Sequence, residues 1–136
     1  MNLPTYDSIA VGNTLPPLIT GPVSRSTLAL FAAASGDHNP IHIDIDFAQS
    51  AGMPDVFAHG MLGMAYLGRL LTNWIPQHDL RDFSTRFTAI THLNETLICT
   101  GTVVEKHGDG LVRLEIQVAN DQGVVKLTGQ ALIWLP

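Results

Sequence analysis

The chain has 136 residues, 46% of them hydrophobic and 14% charged, and a formal net charge of −5. This length fits a single domain over residues 1–136, and the acidic balance, without a cluster of lysine or arginine, argues against nucleic-acid binding. The single cysteine, Cys99, excludes an internal disulfide, and no apolar run is long enough to cross a bilayer, so we expect a soluble cytoplasmic protein with no membrane contact.

The first half of the chain has helical patterns. Ser24 or Ser26 can cap a helix that runs through "TLALFAAAS", and Gly36 is suited to end this helix in a left-handed turn. Asp46 is predicted to cap a shorter helix that closes at Gly52. These two helices flank the loop on which the candidate site depends.

A third helix is predicted over Gly60–Trp74, "GMLGMAYLGRLLTNW". Its apolar residues cover almost the whole circumference, and only Arg69 and the residues from Thr72 onward are plainly polar. A helix that is apolar all round has to be enclosed by other parts of the protein. We therefore expect this helix to lie at the centre of the fold.

The second half of the chain alternates between apolar and polar residues. Leu111–Val118 shows the period of a strand with one buried face, and the segments before and after it are rich in β-branched residues. Glycine-bearing turns at His107–Gly110 and Asn120–Gly123 predict hairpins. With a further strand over Asp82–Ile90, four or more antiparallel strands are predicted to form a meander.

In so short a chain, only this sheet can enclose the central helix. The sequence therefore predicts an α+β protein in which a curved antiparallel sheet is wrapped around one long buried helix. This arrangement is the hot-dog fold.

The stretch "SGDHNPIH" contains the first candidate functional residues. Pro40 biases Asn39 away from helical angles, so the chain must turn between Asp37 and His42. The turn can bring both side chains to one point, where a carboxylate and an imidazole would form a general acid–base pair. The alternative is that Asp37 only bonds nearby backbone amides as an Asx turn.

The start of the central helix is the second candidate feature. Its first N–H groups lack intrahelical partners, and Gly60 would let a substrate carbonyl oxygen approach them closely. Alternatively, Gly60 only permits a tight entry into the helix. For His59 the residues favour a core histidine bonded to a backbone carbonyl, although it is also a candidate for substrate binding, together with Asn39 and Met61.

A metal site is the less favoured interpretation of the same stretch. His38 and His42 are four residues apart, but Pro40 breaks the helix that would align them. An extended segment would instead put His42, Asp44 and Asp46 on one face, although Asp46 is the predicted helix cap. We expect no metal.

The sequence resembles the MaoC-like acyl dehydratases, the (R)-specific enoyl-CoA hydratase group. The resemblance extends from about residue 18 to the C-terminus and includes "FAHGMLGM" and "STRFTA". The residues that match the family signature are Phe31, Ser35, Gly36, Asp37, Asn39, Pro40, Ile41, His42 and Ala48. The resemblance implies a hot-dog fold, obligate dimerisation, and reversible syn hydration of trans-2-enoyl thioesters without metal or prosthetic group.

Carried over to this sequence, the resemblance makes Asp37 and His42 the catalytic dyad and the Gly60 N–H the donor to the thioester carbonyl, with Asn39 stabilising the loop. Two positions depart from the family pattern. Gly68 stands where members often have a serine, and Ala89–Leu97 differs from the usual strand entry.

The sequence leaves more than one possibility open for the partner subunit and for the activity. A homodimer is expected, but likeness to the catalytic subunit of heterodimeric hydroxyacyl-carrier-protein dehydratases leaves a heterodimer open. A non-catalytic acyl-binding subunit is disfavoured by the intact Asp37–His42 pair. A hot-dog thioesterase is disfavoured because Gly60–Thr72 contains no acidic residue. The acyl chain length and the carrier, coenzyme A or an acyl-carrier protein, stay open.

Overall fold

The computed structural model describes residues 2–136, which form three α-helices and a five-stranded sheet. The helices are α1 (Arg25–Ser35), α2 (Ile45–Ser50) and α3 (Gly60–Thr72), and the strands are β1 (Leu18–Ile19), β2 (Leu80–Phe87), β3 (Leu97–Lys106), β4 (Leu111–Asn120) and β5 (Val125–Trp134). No helix within residues 2–136 combines the length and the apolar character needed to cross a membrane.

The sheet is antiparallel and has the strand order β1-β3-β4-β5-β2. The hairpins β3–β4 and β4–β5 turn where the glycine-bearing segments predict them. The predicted four-strand meander is wrong in one respect, because β2 pairs with β5 and not with β3. The chain leaves β2 through a longer connection that passes the start of α3, where Thr91 O accepts the Ala58 N–H at 2.9 Å.

The central helix α3 packs on the sheet through Leu62, Leu67, Leu70 and Leu71, all at most 4% exposed. Its enclosure is incomplete, because Met61 is 51% exposed. One sheet layer covers only one side of a helix, so the expectation of burial all round is wrong for a single chain. An open apolar strip is left along α3.

The segments before α3 confirm one predicted helix and correct another. Ser24 Oγ accepts the Thr27 N–H at 3.1 Å, and Gly36 ends α1 with a φ of 79°. For α2 the cap is Asp44, whose Oδ1 accepts the Asp46 N–H at 3.0 Å. Asp46 cannot cap the helix because it already lies in the first turn. The predicted extended segment with His42, Asp44 and Asp46 on one face is also wrong, because His42 ends a 3₁₀ turn and Asp46 lies in α2.

Candidate active site

The loop between α1 and α2 is held by two consecutive Asx turns. Asp37 Oδ1 accepts the Asn39 N–H at 3.2 Å, and Asn39 Oδ1 accepts the Ile41 N–H at 3.1 Å. Pro40 then opens a single 3₁₀ turn that ends at His42. The Asx-turn interpretation of Asp37 is therefore confirmed, and the same turn carries the carboxyl group towards His42.

Asp37 and His42 face each other. Asp37 Oδ2 lies 4.0 Å from His42 Nε2, and the aspartate side chain is 49% exposed whereas the histidine is buried. One carboxylate oxygen therefore holds the loop while the other points towards the imidazole. The separation is longer than a hydrogen bond, and a hydroxyl group placed beside this gap could contact both atoms.

The imidazole of His42 is oriented by a backbone carbonyl. His42 Nδ1 lies 2.7 Å from Phe57 O, and the ring also meets the Phe57 ring edge-on at a centroid distance of 5.2 Å. Because a carbonyl oxygen only accepts, Nδ1 must carry the hydrogen, which assigns the tautomer of neutral His42. Nε2, which lies on the side of Asp37, then carries the lone pair and is able to accept a proton.

His59 touches both members of this pair. Its ring stacks on His42 at a centroid distance of 4.0 Å and an interplanar angle of 29°, and its Nε2 donates to Asp37 O at 3.1 Å. The ring is 2% exposed, and Phe31 packs edge-on against it. The backbone-carbonyl bond expected for a core histidine is present, while substrate contact by His59 stays a prediction.

Burial lowers the pKa of His59, and the neighbouring His42 lowers it further, against the raising effect of the Asp37 carbonyl. The folded protein thus holds His59 neutral at a pH where the unfolded chain would already protonate it. Below the ordinary value of 6.5, the unfolded state binds more protons than the folded state. Stability is therefore lost as the pH falls below that value towards the lowered pKa.

This difference predicts the pH dependence of unfolding. In urea titrations from about pH 7.5 to about pH 5, His59 should contribute up to about 1.4 kcal/mol of lost unfolding free energy per pH unit within that window. His59→Gln removes the titrating group and should flatten the curve by that contribution. An equally steep loss in His59→Gln would show that other groups cause it.

The start of α3 presents backbone donors beside a cavity. Among residues 2–136, no backbone carbonyl or side chain accepts the Gly60 N–H, and the preceding His59 makes no side-chain cap bond. A Cβ at Gly60 would lie 3.0 Å from two carbons of the Phe87 ring. This cavity has a volume of about 300 Å³ and is lined by Phe57, Ala58, Gly60, Phe87, Ala89, Ile90, Thr91 and Leu127.

A second, more apolar cavity of about 430 Å³ lies along the open strip of α3 and reaches Asp37. Its walls are Phe31, Ser35, Asp37, Met61, Met64, Ala65, Gly68 and Phe83. The two glycines of α3 have different roles here. A Cβ at Gly63 would come within 2.7 Å of Leu127 Cδ1, so Gly63 permits close packing on β5, whereas a Cβ at Gly68 would meet only Phe83 at 3.8 Å.

The structure thus brings the predicted residues to one region of the molecule. Asp37 and Met61 line the same cavity, Gly60 lies at the other, and His42 and His59 stack on each other next to Asp37. Asn39 serves the loop through its turn, and its contact with substrate stays a prediction. Sequence reasoning missed the Phe57 carbonyl, because a backbone acceptor leaves no signature in the residue type.

The geometry also bears on metal binding. Asp37, His42 and His59 offer ligand atoms within 4.8 Å of one another. Imidazole lone pairs lie in the ring planes, and a zinc ion must sit about 2.0–2.1 Å from each nitrogen. Stacked rings direct their lone pairs side by side and not to a common point at that distance. The observed arrangement of the two histidines does not suit a shared metal.

Comparison with known proteins adds the family. The model of the MaoC-like domain matches residues 10–125. The chain belongs to the MaoC-like family. This MaoC-like chain is 31% identical over 124 residues to the (R)-specific enoyl-CoA hydratase of Rhodospirillum rubrum, a match that covers 84% of this chain and 81% of that protein.

The MaoC-like chain is also similar to a much longer curated protein and to a solved structure. It is 30% identical over 129 residues to fatty acid synthase subunit beta of Saccharomyces cerevisiae, covering 91% of this chain but only 6% of that much longer protein. Among solved structures, the R-hydratase PhaJ1 from Pseudomonas aeruginosa superposes with a TM-score of 0.87 at 30% identity, covering 97% of this chain and 85% of the other. The predicted hot-dog fold is confirmed.

Proposed function

We propose that this MaoC-like protein catalyses the reversible addition of water to trans-2-enoyl thioesters, which yields (R)-3-hydroxyacyl thioesters. The observation that carries the proposal is the pairing of Asp37 and His42, whose side chains face each other at 4.0 Å, with Asp37 also lining the apolar cavity along α3. The relatives named as (R)-specific enoyl-CoA hydratase and R-hydratase support the same reaction.

In the proposed hydration step, His42 Nε2 takes a proton from water as the water oxygen bonds to C3 of the enoyl group. The C2–C3 π electrons shift towards the thioester, and Asp37 in its protonated form delivers a proton to C2. Charge that develops on the thioester oxygen is stabilised by the Gly60 N–H at the positive end of α3. Transfer of the proton from His42 back to Asp37 restores the enzyme, so atoms and charges balance.

No redox change accompanies hydration, and a backbone donor can polarise the thioester. We therefore propose that the reaction needs neither metal nor prosthetic group, and that coenzyme A or an acyl-carrier protein takes part only as the carrier of the substrate.

The apolar cavity beside Asp37 is proposed to accept the acyl chain. Replacing Gly68 with leucine should fill this space and lower kcat/KM for an eight-carbon enoyl thioester by about tenfold relative to crotonyl-CoA, because one or two excluded methylenes change binding by roughly 1–3 kcal/mol. Gly68→Ala is the matched control, since its Cβ makes only ordinary contact with Phe83. An unchanged preference in Gly68→Leu would place the chain elsewhere.

A single assay tests the proposed reaction. The protein is incubated with crotonyl-CoA while enoyl absorbance and free thiol are followed together. Loss of absorbance without thiol release is expected for a hydratase, and thiol release would indicate a thioesterase. Substrate binding without turnover, over a series of enoyl chain lengths, would support a non-catalytic acyl-binding subunit instead.

The fatty acid synthase relatives favour a second candidate, dehydration of a 3-hydroxyacyl group on an acyl-carrier protein. Both candidates use the same site and differ in carrier and direction. Rates with matched coenzyme A and carrier-protein substrates distinguish them.

We also propose that the working form pairs two hot-dog subunits. Within residues 2–136, β2 has a strand neighbour on one side only, and the side chains of Phe87 at its end and of Met61 on α3 are about half exposed. A second copy is the expected occupant, and a related subunit is the alternative. The mass of the purified chain in solution distinguishes them: a dimeric mass is expected for a homodimer, and a monomeric mass would indicate that a related subunit is needed.

A further inference from the structure

An ion pair between a buried lysine and a partly buried glutamate lies next to the site and outside the residues assigned to the reaction. Lys126 is 3% exposed, and its Nζ lies 3.0 Å from Glu95 Oε2 and 3.1 Å from Oε1. The ammonium group also donates to Ile90 O at 2.8 Å. A buried lysine is tolerated only when its charge and its donors are matched in this way.

The Glu95 carboxylate accepts two further hydrogen bonds from neighbouring residues. Its Oε2 accepts the His92 N–H at 3.0 Å, and its Oε1 accepts Asn120 Nδ2 at 3.2 Å. Burial by itself would raise the pKa of Glu95, but the bonds from Lys126, the His92 N–H and Asn120 hold the pKa below its usual value. The carboxylate therefore stays charged and ties the connection after β2 to the ends of β4 and β5.

The segment held by this pair reaches the dyad through the backbone. Thr91 O accepts the Ala58 N–H at 2.9 Å, and His92 forms an isolated antiparallel bridge with Phe57. Phe57 in turn supplies the carbonyl that receives the His42 Nδ1–H. The ion pair is thus connected to the imidazole through its bonds to residues 90–92, the backbone contacts of those residues with Phe57 and Ala58, and the bond from His42 to Phe57 O.

We propose that Lys126 and Glu95 are positioning residues for the dyad. They hold residues 90–92, and through them the Phe57 carbonyl, so that His42 keeps its hydrogen on Nδ1 and its lone pair on Nε2. An imidazole that loses this acceptor is free to rotate or to change tautomer, and it then presents an N–H where a base is needed. The consequence for turnover rests on the proposed hydratase function, but the consequence for the imidazole does not.

Lys126→Met is the first test. It should lower kcat for crotonyl-CoA at least about tenfold with a much smaller change in KM, because a displaced catalytic group weakens the chemical step more than substrate binding. Lys106→Met is the matched control. Lys106 Nζ also donates to two backbone carbonyls, Tyr6 O at 2.7 Å and Ile9 O at 2.9 Å, but it holds the N-terminal segment. Its loss should reduce stability and leave kcat within about twofold.

The second readout does not depend on activity. Nitrogen-15 spectra of the histidine side chains, with the His42 signals assigned by their absence in His42→Asn, should show the Nδ1–H tautomer in the wild type and in Lys106→Met. In Lys126→Met the His42 signals should shift to mixed tautomers. The double variant Lys126→Met/Glu95→Gln, which leaves no unpaired buried charge, should show the same change if the single variant fails to fold.

A folded Lys126→Met or double variant with the wild-type tautomer of His42 overturns the proposal, whatever its activity. A wild-type protein that hydrates no enoyl thioester contradicts the proposed function instead, and the spectra still decide whether the ion pair orients His42.

Discussion

Asp37→Asn is expected to lower the rate of enoyl-thioester hydration by about 10²–10⁴-fold, because it removes the carboxyl group that we propose transfers a proton to C2. The fold should persist. Asparagine keeps the oxygen that accepts the Asn39 N–H, and the side chain is half exposed. Steady-state kinetics with crotonyl-CoA, together with a thermal unfolding curve, measure both effects.

The chain offers a matched control for this substitution. Asp44 is another exposed aspartate in an Asx arrangement, and it caps α2. Because asparagine caps a helix about as well as aspartate, Asp44→Asn should leave both stability and turnover near the wild-type values. Near-normal hydration by Asp37→Asn would remove Asp37 from the mechanism.

Gly60→Ala is expected to have the next largest effect, a fall in kcat/KM of about 10²-fold if access of the thioester oxygen to the amide is lost. The backbone N–H remains in this variant, but the new methyl group lies beside it and only 3.0 Å from the Phe87 ring. Kinetics over a range of crotonyl-CoA concentrations show whether kcat falls, as expected for a contact that strengthens in the transition state.

Two further variants distinguish a blocked Gly60 amide from a displaced Phe87 ring as the cause of the lost activity. Gly21→Ala adds a methyl group that meets nothing within 4 Å and should be silent. Gly60→Ala/Phe87→Leu removes the crowded ring. If activity returns in the double variant, displacement of Phe87 was the cause, and the role of the Gly60 amide is contradicted. If activity stays low, the blocked amide explains the loss.

Local signals explain why much of this architecture was predictable. Ser24 and Gly36 bound α1 because a hydroxyl cap and a left-handed glycine act within a few residues, and the hairpin turns of β3–β4–β5 depend on equally local chemistry. The convergence of Asp37 and His42 followed from the proline between them.

Features set by distant parts of the chain were not accessible in this way. The pairing of β2 with β5 depends on a connection that passes over α3, and alternation alone does not say which strand is the neighbour. Asp44 and not Asp46 caps α2 because the 3₁₀ turn ends at His42 and the helix already begins at Ile45, and the sequence pattern does not show where that turn ends. The burial of Lys126 is likewise tertiary, since a lysine in a strand gives no sign that a carboxylate about thirty residues away will meet it.

The face-to-face imidazoles have a consequence for the catalytic cycle. Two rings only 4.0 Å apart repel each other strongly if both become cations, so the pair accommodates one positive charge and resists a second. In the proposed reaction His42 takes up the proton of the attacking water, and His59 must then remain the uncharged member. The two rings can therefore hold only one added proton at a time, and in the proposed reaction that proton lies on His42, the ring that faces Asp37.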